Sequence, residues 1–305
     1  MTKDVNENFL SSSWWNTATV EDIQTEIKKG ADVNTKDEYG STVLMYAAID
    51  NQNPEVIHTL VELGADVNAK DEYGSTVLMY VARNNQNPEV VRTLVELGAD
   101  VNAKDEDGST VLMHAAGNNQ NPEIIRTLLE LGADINVRNK TGLTVLMYAA
   151  ENNQHPEVVR TLVELGADVN AKNEYEDGLT VFMYAAGDYQ NPEIIRILAE
   201  LGADVNARNK TGLTVLMFVA IYKQNPEIIR TLVELGADVN SKNEHEYTPL
   251  MYAARYNKYP EIIKMLIKCG ADVNAKDDEA QTPLLIAMRY NDSPEILKVL
   301  EKYSS

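Results

Sequence analysis

The residues best suited to catalysis or metal binding are few in this chain. It holds four histidines and one cysteine. Histidine is a common zinc ligand and general base, but the four histidines occupy four different positions of a sequence repeat described below, so they cannot converge on one metal ion. A single cysteine forms no intramolecular disulfide and favours a reducing compartment. These residues are His58, His114, His155, His245 and Cys269.

Other signals of chemistry are equally weak. The stretch Asp105-Glu106-Asp107-Gly108 resembles the start of a calcium loop, but it lacks the further ligands and the distal bidentate glutamate. The sequence holds no glycine-rich phosphate loop, no Ser/His/Asp set and no HExxH motif. We therefore predict no catalytic residue, no metal site and no cofactor, and we interpret the chain as a protein other than an enzyme.

One phrase, Gly-Ala-Asp-Val/Ile-Asn, recurs along almost the whole chain. Its copies are 34 residues apart, except for one interval of 36 residues. A fixed period in this range indicates one supersecondary unit stacked on copies of itself, which predicts an elongated solenoid. The copies begin at Gly30, Gly64, Gly98, Gly132, Gly166, Gly202, Gly236 and Gly270.

Each repeat reads as a turn followed by two helices. In residues 69–102, Thr76 offers an N-cap hydroxyl ahead of the apolar run from Val77 to Ala82, which predicts a short first helix. Asn87-Pro88-Glu89 is a strong start for a second helix, because asparagine caps well and proline fits the first turn. We expect this helix to run to Leu97, with Gly98 as its left-handed cap.

Composition excludes two classes of partner. The chain has 305 residues, 44% of them hydrophobic, and a formal net charge of −20. Binding to nucleic acid or to anionic lipid needs clustered lysine and arginine, so neither is expected. The first twenty residues hold no basic segment followed by an apolar run, and no stretch approaches 18 apolar residues. We predict a cytoplasmic protein, or one exported without a cleaved signal peptide.

The repeat resembles the ankyrin repeat in specific residues. The matching elements are Gly-x-Thr-x-Leu-x-x-Ala-Ala, then Pro-Glu-Val-Val, then Leu-Gly-Ala-Asp-Val-Asn. The Asn-Gln-Asn-Pro-Glu linker between the helices is one residue longer than the common form, a style seen in many bacterial ankyrin proteins. The histidine of the family's Thr-Pro-Leu-His motif is methionine in most copies, so its hydrogen bonds must be supplied differently. These methionines are predicted to form a stacked core: Met45, Met79, Met113, Met147, Met183, Met217 and Met251.

The resemblance implies an all-α ankyrin solenoid of antiparallel helix pairs with short β-hairpin tips, curved around a concave groove. We expect one solenoid over 1–305, with a degenerate N-terminal capping repeat at 1–34, seven repeats at 35–274 and a C-terminal capping repeat at 275–305. In the first cap, helices are expected at 9–15 and 20–29. Polar outer faces are predicted because Asp22 and Glu26 align with Val56 and Leu60, and Glu301 aligns with an isoleucine.

The variable residues fall on the face that lines the groove in ankyrin proteins. An aromatic residue or histidine follows each core methionine, at Tyr46, Tyr80, His114, Tyr148, Tyr184, Phe218 and Tyr252. Such a series could bind a partner, or it could only pack on itself between repeats. Four residues further on, the sequence changes from polar to aromatic: Asp50, Asn84, Asn118, Asn152 and Asp188, then Tyr222, Tyr256 and Tyr290.

The hairpin tips vary as well. Most tips are acidic, whereas Lys140 and Lys210 make two of them basic, and the 36-residue repeat carries its two extra residues in the tip at 173–178. Aromatic residues and arginine dominate binding hot spots. We therefore predict a partner-binding surface made of Tyr175, Tyr184, Phe218, Tyr222, Tyr252, Arg255, Tyr256, Arg289 and Tyr290.

The leading hypothesis is a monomeric, non-catalytic scaffold that binds a protein through its groove and hairpin tips. One alternative is an acidic decoy that occupies the nucleic-acid site of a basic protein. Another is an engineered repeat scaffold, because the first two full repeats are nearly identical. Neither nucleic acid nor membrane is expected to bind directly.

Overall fold

The computed structural model describes residues 6–175, 177–187 and 191–304. Helices follow one another in pairs along this part of the chain. The first helices of the pairs are α1 (Ser12–Trp15), α3 (Val43–Asp50), α5 (Val77–Asn84), α7 (Val111–Asn118), α9 (Val145–Asn152), α11 (Val181–Ala185), α13 (Val215–Tyr222), α15 (Pro249–Tyr256) and α17 (Pro283–Tyr290). The second helices are α2 (Val20–Lys28), α4 (Pro54–Glu62), α6 (Pro88–Glu96), α8 (Pro122–Glu130), α10 (Pro156–Glu164), α12 (Pro192–Glu200), α14 (Pro226–Glu234), α16 (Pro260–Lys268) and α18 (Pro294–Tyr303).

The chain divides into two compact units. The N-terminal unit is Met1–Ala167 and the C-terminal unit is Asp168–Ser305. Within each unit, neighbouring helix pairs pack first helix on first helix and second helix on second helix, as α5 does on α7 and α14 on α16. The all-α architecture predicted from the repeat is confirmed. A single continuous solenoid with capping repeats at 1–34 and 275–305 stays a prediction.

Local sequence explains where the second helices begin and end. Asn87 is extended at the N-cap of α6, where its Oδ1 accepts a hydrogen bond from the Glu89 N–H at 3.1 Å. Pro88 follows at the first helical position, where its missing N–H has no intrahelical partner to lose. The helix ends at Glu96 with Leu97 as C-cap, one residue earlier than predicted, and Gly98 adopts φ = +97°. Glycine tolerates this left-handed conformation without the strain that a Cβ brings.

The methionine series lies in the core, as predicted. Every member is at most 1% exposed. The sulfur atoms also take part in the helix caps: Met45 Sδ accepts from the Thr42 N–H, and Met251 Sδ accepts from the Thr248 N–H, each at 3.4 Å. In return, the Thr42 hydroxyl accepts from the Met45 N–H at 3.3 Å. These residues therefore replace part of the hydrogen bonding that histidine supplies in the resembled motif.

The turns between repeats form short hairpins. Single antiparallel bridges close five of those in the described part of the chain, and Lys36–Thr42 and Lys70–Thr76 are two of them. The Gly-Ala-Asp-Val-Asn phrase joins adjacent repeats beside the hairpins. Asn102 Nδ2 donates to the Gly132 carbonyl at 2.9 Å, and Asn102 Oδ1 accepts from the Asp134 N–H at 2.9 Å. The recurrence of the phrase thus has a direct structural reason.

The asparagine that opens the linker between the helices of a pair forms a second ladder. Asn119 is 1% exposed, and its Nδ2 donates to the carbonyls of Ala82 and Asn85 in the preceding repeat at 2.9 and 2.8 Å. Its Oδ1 accepts from the Asn121 N–H at 2.9 Å. Asn153 and Asn257 make the same pair of bonds to their own preceding repeats. The longer linker is therefore part of the packing between repeats.

The N-terminal helix pair corrects the sequence prediction in detail. Helix α1 covers only Ser12–Trp15, because Ser11 makes no side-chain cap and the chain before it forms turns. Phe9 and Trp15 are nevertheless fully buried, with their ring centroids 5.7 Å apart. The predicted polar face is exposed at Asp22, whereas Glu26 is buried and accepts a hydrogen bond from Lys29 at 2.8 Å.

The last helix pair also departs from the predicted polar face. Glu301 is exposed as expected, but so are Leu285 and Met288. These two residues occupy the positions that Met251 and Ala254 fill in the pair before, where Met251 packs against Ile286 of α17. No described helix pair follows α18 to cover Leu285 and Met288 in the same way, so this face is mixed rather than polar.

Candidate functional site

In most repeats the aromatic residue or histidine that follows the core methionine ties its helix to the hairpin of its own repeat. The Tyr46 hydroxyl donates to Asp37 Oδ2 at 2.9 Å, and the Tyr80 hydroxyl donates to Asp71 Oδ2 at 2.6 Å. At Asn243 the direction reverses, so that its Nδ2 donates to the Tyr252 hydroxyl at 2.8 Å. These bonds give the series a folding role. Sequence reasoning missed it, although the fixed spacing of nine residues between the partners is a usable signal.

The bond changes the acidity of both partners. Burial raises the pKa of Tyr46, and the hydrogen bond to the Asp37 carboxylate raises it further, to about 12. Burial opposes the ionisation of Asp37, but the hydrogen bonds from Tyr46, Ser41 and Tyr39 outweigh it and lower the pKa of Asp37. Both shifts favour the pair in which a neutral phenol donates to a carboxylate.

His114 and Phe218 vary this arrangement. His114 Nε2 lies 2.8 Å from Asp105 Oδ2 and takes the place of the tyrosine hydroxyl. Phe218 has no hydroxyl, and the equivalent hairpin residue, Asn209, has a buried Nδ2 without a hydrogen-bond partner. A buried amide donor without a partner destabilises a fold. The repeat of Phe218 therefore lacks the hydrogen bond between helix and hairpin, and an apolar ring stands in the place of the tyrosine.

Tyr184, one of the residues predicted to contact a partner, is buried. It is only 8% exposed, and its hydroxyl accepts from Asn173 Nδ2 at 2.8 Å. This side chain secures the lengthened hairpin and has little surface to offer a partner. Asp188, predicted on the same groove face, and Glu176, one of the residues of the lengthened tip, lie outside the described residues.

Three tyrosines are exposed in register on the C-terminal unit. Tyr222, Tyr256 and Tyr290 are 64%, 50% and 41% exposed, and each is the last residue of the first helix in its pair. In the N-terminal unit the same position holds Asn84, whose amide donates to the Tyr80 carbonyl of its own helix at 3.0 Å. The tyrosine side chains make no such bond within the described chain. These tyrosines therefore do not take over the hydrogen bond that Asn84 makes at the end of its helix.

Arg255 holds two of these rings in place. Its guanidinium carbon lies 4.2 Å from the Tyr290 ring centroid and 5.1 Å from that of Tyr256. Its Nη1 also donates to the Tyr247 hydroxyl at 3.2 Å. The Tyr290 ring has a second arginine contact, because the guanidinium carbon of Arg289 lies 5.1 Å from its centroid. Cation–π contacts of this kind fix ring orientation, which lowers the entropy lost when a partner binds.

The predicted residues form two neighbouring clusters. The first is Phe218 and Tyr222, with ring centroids 5.0 Å apart and Lys223 Nζ 5.8 Å from the Phe218 ring. The second is the group around Arg255, which also includes Tyr252, stacked on Tyr256 at 6.4 Å. Helix α13 packs on α15, and α15 packs on α17. We call these residues the aromatic surface: Phe218, Tyr222, Tyr252, Arg255, Tyr256, Arg289 and Tyr290.

Tyr175 lies apart from this surface. It is exposed on the lengthened hairpin, where its N–H donates to Asn173 Oδ1 at 2.8 Å. Within the described residues no ring or ionic contact joins Tyr175 to either cluster. The structure instead adds Tyr247, which sequence reasoning missed. Tyr247 stands where other hairpins have serine, leucine or glutamine, and its ring meets the Tyr252 ring edge-on at 5.4 Å.

A cavity of about 330 Å³ opens beside the second cluster. Four tyrosine rings line it, together with the Arg255 guanidinium. The last hairpin also lines the cavity and contributes three carboxylates, Asp277, Asp278 and Glu279. The rings are those of Tyr247, Tyr252, Tyr256 and Tyr290. The arrangement combines apolar surface with net negative charge.

The two basic hairpin tips have a structural role. Lys140 Nζ donates to the Glu106 carbonyl of the preceding hairpin at 2.6 Å, and Lys210 Nζ donates to the Glu174 carbonyl. These lysines therefore connect successive hairpins. In the same described ranges, no group of three or more His, Cys, Asp and Glu side chains is placed to hold a metal ion. None of the described helices is long and apolar enough to cross a membrane.

Comparison with known proteins agrees with this architecture. Family models described as "Ankyrin repeats (3 copies)" match residues 16–105, 78–173 and 171–243, and one described as "Ankyrin repeats (many copies)" matches residues 232–287. Among solved structures, the ankyrin repeat domain of Bcl-3, a unique member of the IkappaB protein family by its description, is 30% identical with a TM-score of 0.58. That match covers 75% of this chain and 100% of the Bcl-3 chain. The comparison with curated proteins gives no match.

The family models span most of the sequence, and the Bcl-3 domain is matched over its whole length. The hairpin, helix pair and glycine cap described above recur at the period of those models. The chain therefore belongs to the ankyrin repeat family.

Proposed function

We propose that this chain is a non-catalytic protein-binding module whose main contact surface is the aromatic surface of the C-terminal unit. Ankyrin repeat domains are typically interaction modules, which supports protein binding as the general activity. The choice of surface rests on one observation. Three tyrosine rings stand exposed in register, two of them in contact with arginine, where most repeats of the N-terminal unit carry asparagines that bond to their own helix.

The chemistry of this surface suits binding better than folding. The rings of Tyr222, Tyr256 and Tyr290 remain 64%, 50% and 41% exposed within the chain. A partner would bury Tyr222, Tyr256 and Tyr290 and remove their apolar area from water. Tyrosine and arginine are the residues that most often carry interface energy. Stacking of Arg255 keeps the Tyr256 and Tyr290 rings near one arrangement before the partner arrives.

The test is affinity capture from a cell lysate with matched variants. The first variant replaces Tyr222, Tyr256 and Tyr290 with alanine. The control replaces Tyr39 and Tyr73, which are 52% and 59% exposed on hairpins of the N-terminal unit. We expect the triple variant to lose the captured proteins and the control to retain them. Equal capture by all three proteins would place the contact elsewhere.

An acidic decoy for a basic protein is the second candidate, favoured by the charge of −20 and by exposed acidic tips at Glu38, Glu72 and Glu106. The two candidates differ in salt dependence. Long-range attraction between exposed charges is screened within about 8–10 Å at physiological salt. A decoy should lose its partner steeply as salt rises, whereas contact through buried aromatic rings should depend on salt only weakly.

A monomeric state and a cytoplasmic location accompany this proposal. Light scattering of the purified chain tests the first, and fractionation of cells tests the second. A dimer that buried Tyr222 or Tyr256 would replace the external partner with a second copy of the chain.

A further inference from the structure

The hairpin carboxylates follow one pattern in the N-terminal unit. Asp37 Oδ1 accepts from the backbone N–H groups of Tyr39 and Ser41, at 2.9 and 2.8 Å. Its other oxygen, Oδ2, accepts from the Tyr46 hydroxyl. Asp71 repeats all three bonds, and Asp105 uses His114 in place of the tyrosine. Each of these carboxylates therefore has a partner for both oxygens.

Asp277 breaks the pattern at its second oxygen. Its Oδ1 accepts from the N–H groups of Glu279 and Gln281, at 3.0 and 2.7 Å, as in the other hairpins. The residue nine positions further on is Ile286, which has no donor. Within the described part of the chain, nothing donates to Asp277 Oδ2. The residue as a whole is only 8% exposed, and its side chain borders the cavity described above.

This carboxylate lines the cavity beside the aromatic surface. A carboxylate oxygen at a cavity wall with no donor from its own chain is a ready acceptor, and a cation in the cavity would bond to it directly. The other charged groups of the lining are Asp278, Glu279 and Arg255. His245 Nδ1 lies 3.3 Å from Asp278 Oδ2, and the Arg255 guanidinium is engaged by Tyr247, Tyr256 and Tyr290. Three carboxylates and one guanidinium thus line the cavity.

We propose that this cavity receives a lysine or arginine side chain of the protein partner, with the cation at Asp277 Oδ2 and the aliphatic stem against the tyrosine rings. This inference rests on the proposed function and names the chemistry of the contact. Tyrosine faces attract cations, and carboxylates bond to them directly. An acidic side chain would instead meet three carboxylates, so the lining selects against it. A volume of about 330 Å³ accommodates a side chain of this size.

The direct test uses small probes and nuclear magnetic resonance with ring-labelled tyrosine. The probes are the acetylated methylamides of lysine, arginine, norleucine and glutamate. Norleucine has the stem of lysine without its charge. We expect saturable shifts of the cavity tyrosine signals with lysine or arginine, and binding about tenfold or more weaker with norleucine and glutamate. Equal binding of lysine and norleucine would overturn the proposal that the site recognises a cation. Preferential binding of glutamate would overturn it too, and would show that Arg255 binds an acidic group there.

Matched variants test whether lysine binding depends on the Asp277 carboxylate. Asp277→Asn removes the charge, and the fold accepts asparagine here, because Asn139 holds the same two backbone N–H groups in its own hairpin. Asp71→Asn is the control, since the Asp71 carboxylate already binds Tyr80. Lysine binding should fall about tenfold in the first variant and stay unchanged in the second.

A second variant, Ile286→Tyr, gives Asp277 the hydroxyl that its counterparts have. It should also weaken lysine binding. Binding that survives both Asp277→Asn and Ile286→Tyr contradicts the proposal. The proposed function has its separate readout, the capture lost on alanine substitution of the exposed tyrosines. Loss of capture without selective lysine binding would overturn the cation contact alone, and the reverse result would overturn the aromatic surface as the main contact.

Discussion

The hydroxyl of a single tyrosine decides whether a hairpin residue is satisfied. Tyr252 accepts a hydrogen bond from Asn243, whereas Phe218 leaves Asn209 Nδ2 buried without a partner. The two pairs share sequence spacing and position, so they form a natural comparison within one molecule. At this scale, one hydrogen bond joins the hairpin to the first helix in the repeats that carry such a pair.

We predict that Phe218→Tyr stabilises the protein. The new hydroxyl can accept from Asn209 Nδ2 and remove one unsatisfied donor, an effect worth about 1 kcal/mol. Urea unfolding of the variant and the parent measures the difference. Tyr252→Phe is the matched control and should destabilise by a similar amount. A destabilised Phe218→Tyr variant would show that the site has no room for the hydroxyl.

The raised pKa of Tyr46 predicts a pH dependence at the alkaline end. The unfolded phenol ionises near pH 10, whereas the folded phenol keeps its proton to about pH 12. The unfolded state therefore releases the proton first, and the stability that Tyr46 contributes is complete below pH 10 and is lost as pH rises toward 12.

Unfolding free energies of the parent and Tyr46→Phe, measured across this window, test the sign. The parent should lose more stability than the variant. Equal losses would mean that Tyr46 ionises normally in the fold. At the acidic end the direction is opposite: the lowered pKa of Asp37 gives stability that is present above its unfolded pKa and lost as pH falls through the folded value.

At the scale of elements, the linker between the helices of a pair joins successive repeats. Asn119 connects α7 to the end of α5 through two hydrogen bonds to carbonyls. Beside the hairpins, Asn102 connects its repeat to the next one through a hydrogen bond to the Gly132 carbonyl. The apolar faces between helices supply burial but little direction. These asparagines fix the register in which one repeat sits on the next.

Asn119→Ala should be strongly destabilising. The substitution leaves the carbonyls of Ala82 and Asn85 without their buried donor, and each unsatisfied group costs about 1–3 kcal/mol. Gln120→Ala is the control, because Gln120 is exposed and its side chain makes no hydrogen bond in the described structure. Chemical unfolding should show a loss of at least about 2 kcal/mol in the first variant only. Equal midpoints would contradict the ladder.

The elements that sequence predicted best are those with local signals. Asn-Pro-Glu marks the start of α6, and glycine marks its end to within one residue, because capping depends on adjacent residues. The bond between Tyr46 and Asp37 was not predicted, since it needs the relative placement of a hairpin and a helix. Burial of Tyr184 escaped prediction for the same reason. The repeat position and residue type of Tyr184 were predicted correctly. Its hydroxyl, however, accepts a hydrogen bond from Asn173, which lies on the hairpin.

At the scale of the whole molecule, charge and aromatic residues are distributed unevenly. The chain carries −20 overall, yet its exposed aromatic row lies on the C-terminal unit and includes Arg255 and Arg289. An acidic protein attracts basic partners from a distance, and an aromatic surface then supplies contact energy at short range. The repeat explains the scaffold, whereas departures from the repeat carry the proposed function.

The most direct test of this account compares binding and stability in the variant Tyr222→Ala/Tyr256→Ala. Once a partner has been captured, its affinity should fall by at least about 2 kcal/mol, or roughly 30-fold, as for hot-spot residues. Unfolding free energy should change by less than about 0.5 kcal/mol, as for other surface substitutions. Tyr39→Ala/Tyr73→Ala should leave both quantities unchanged. Lost stability with intact affinity would instead show that Tyr222 and Tyr256 serve packing, and would contradict the proposed surface.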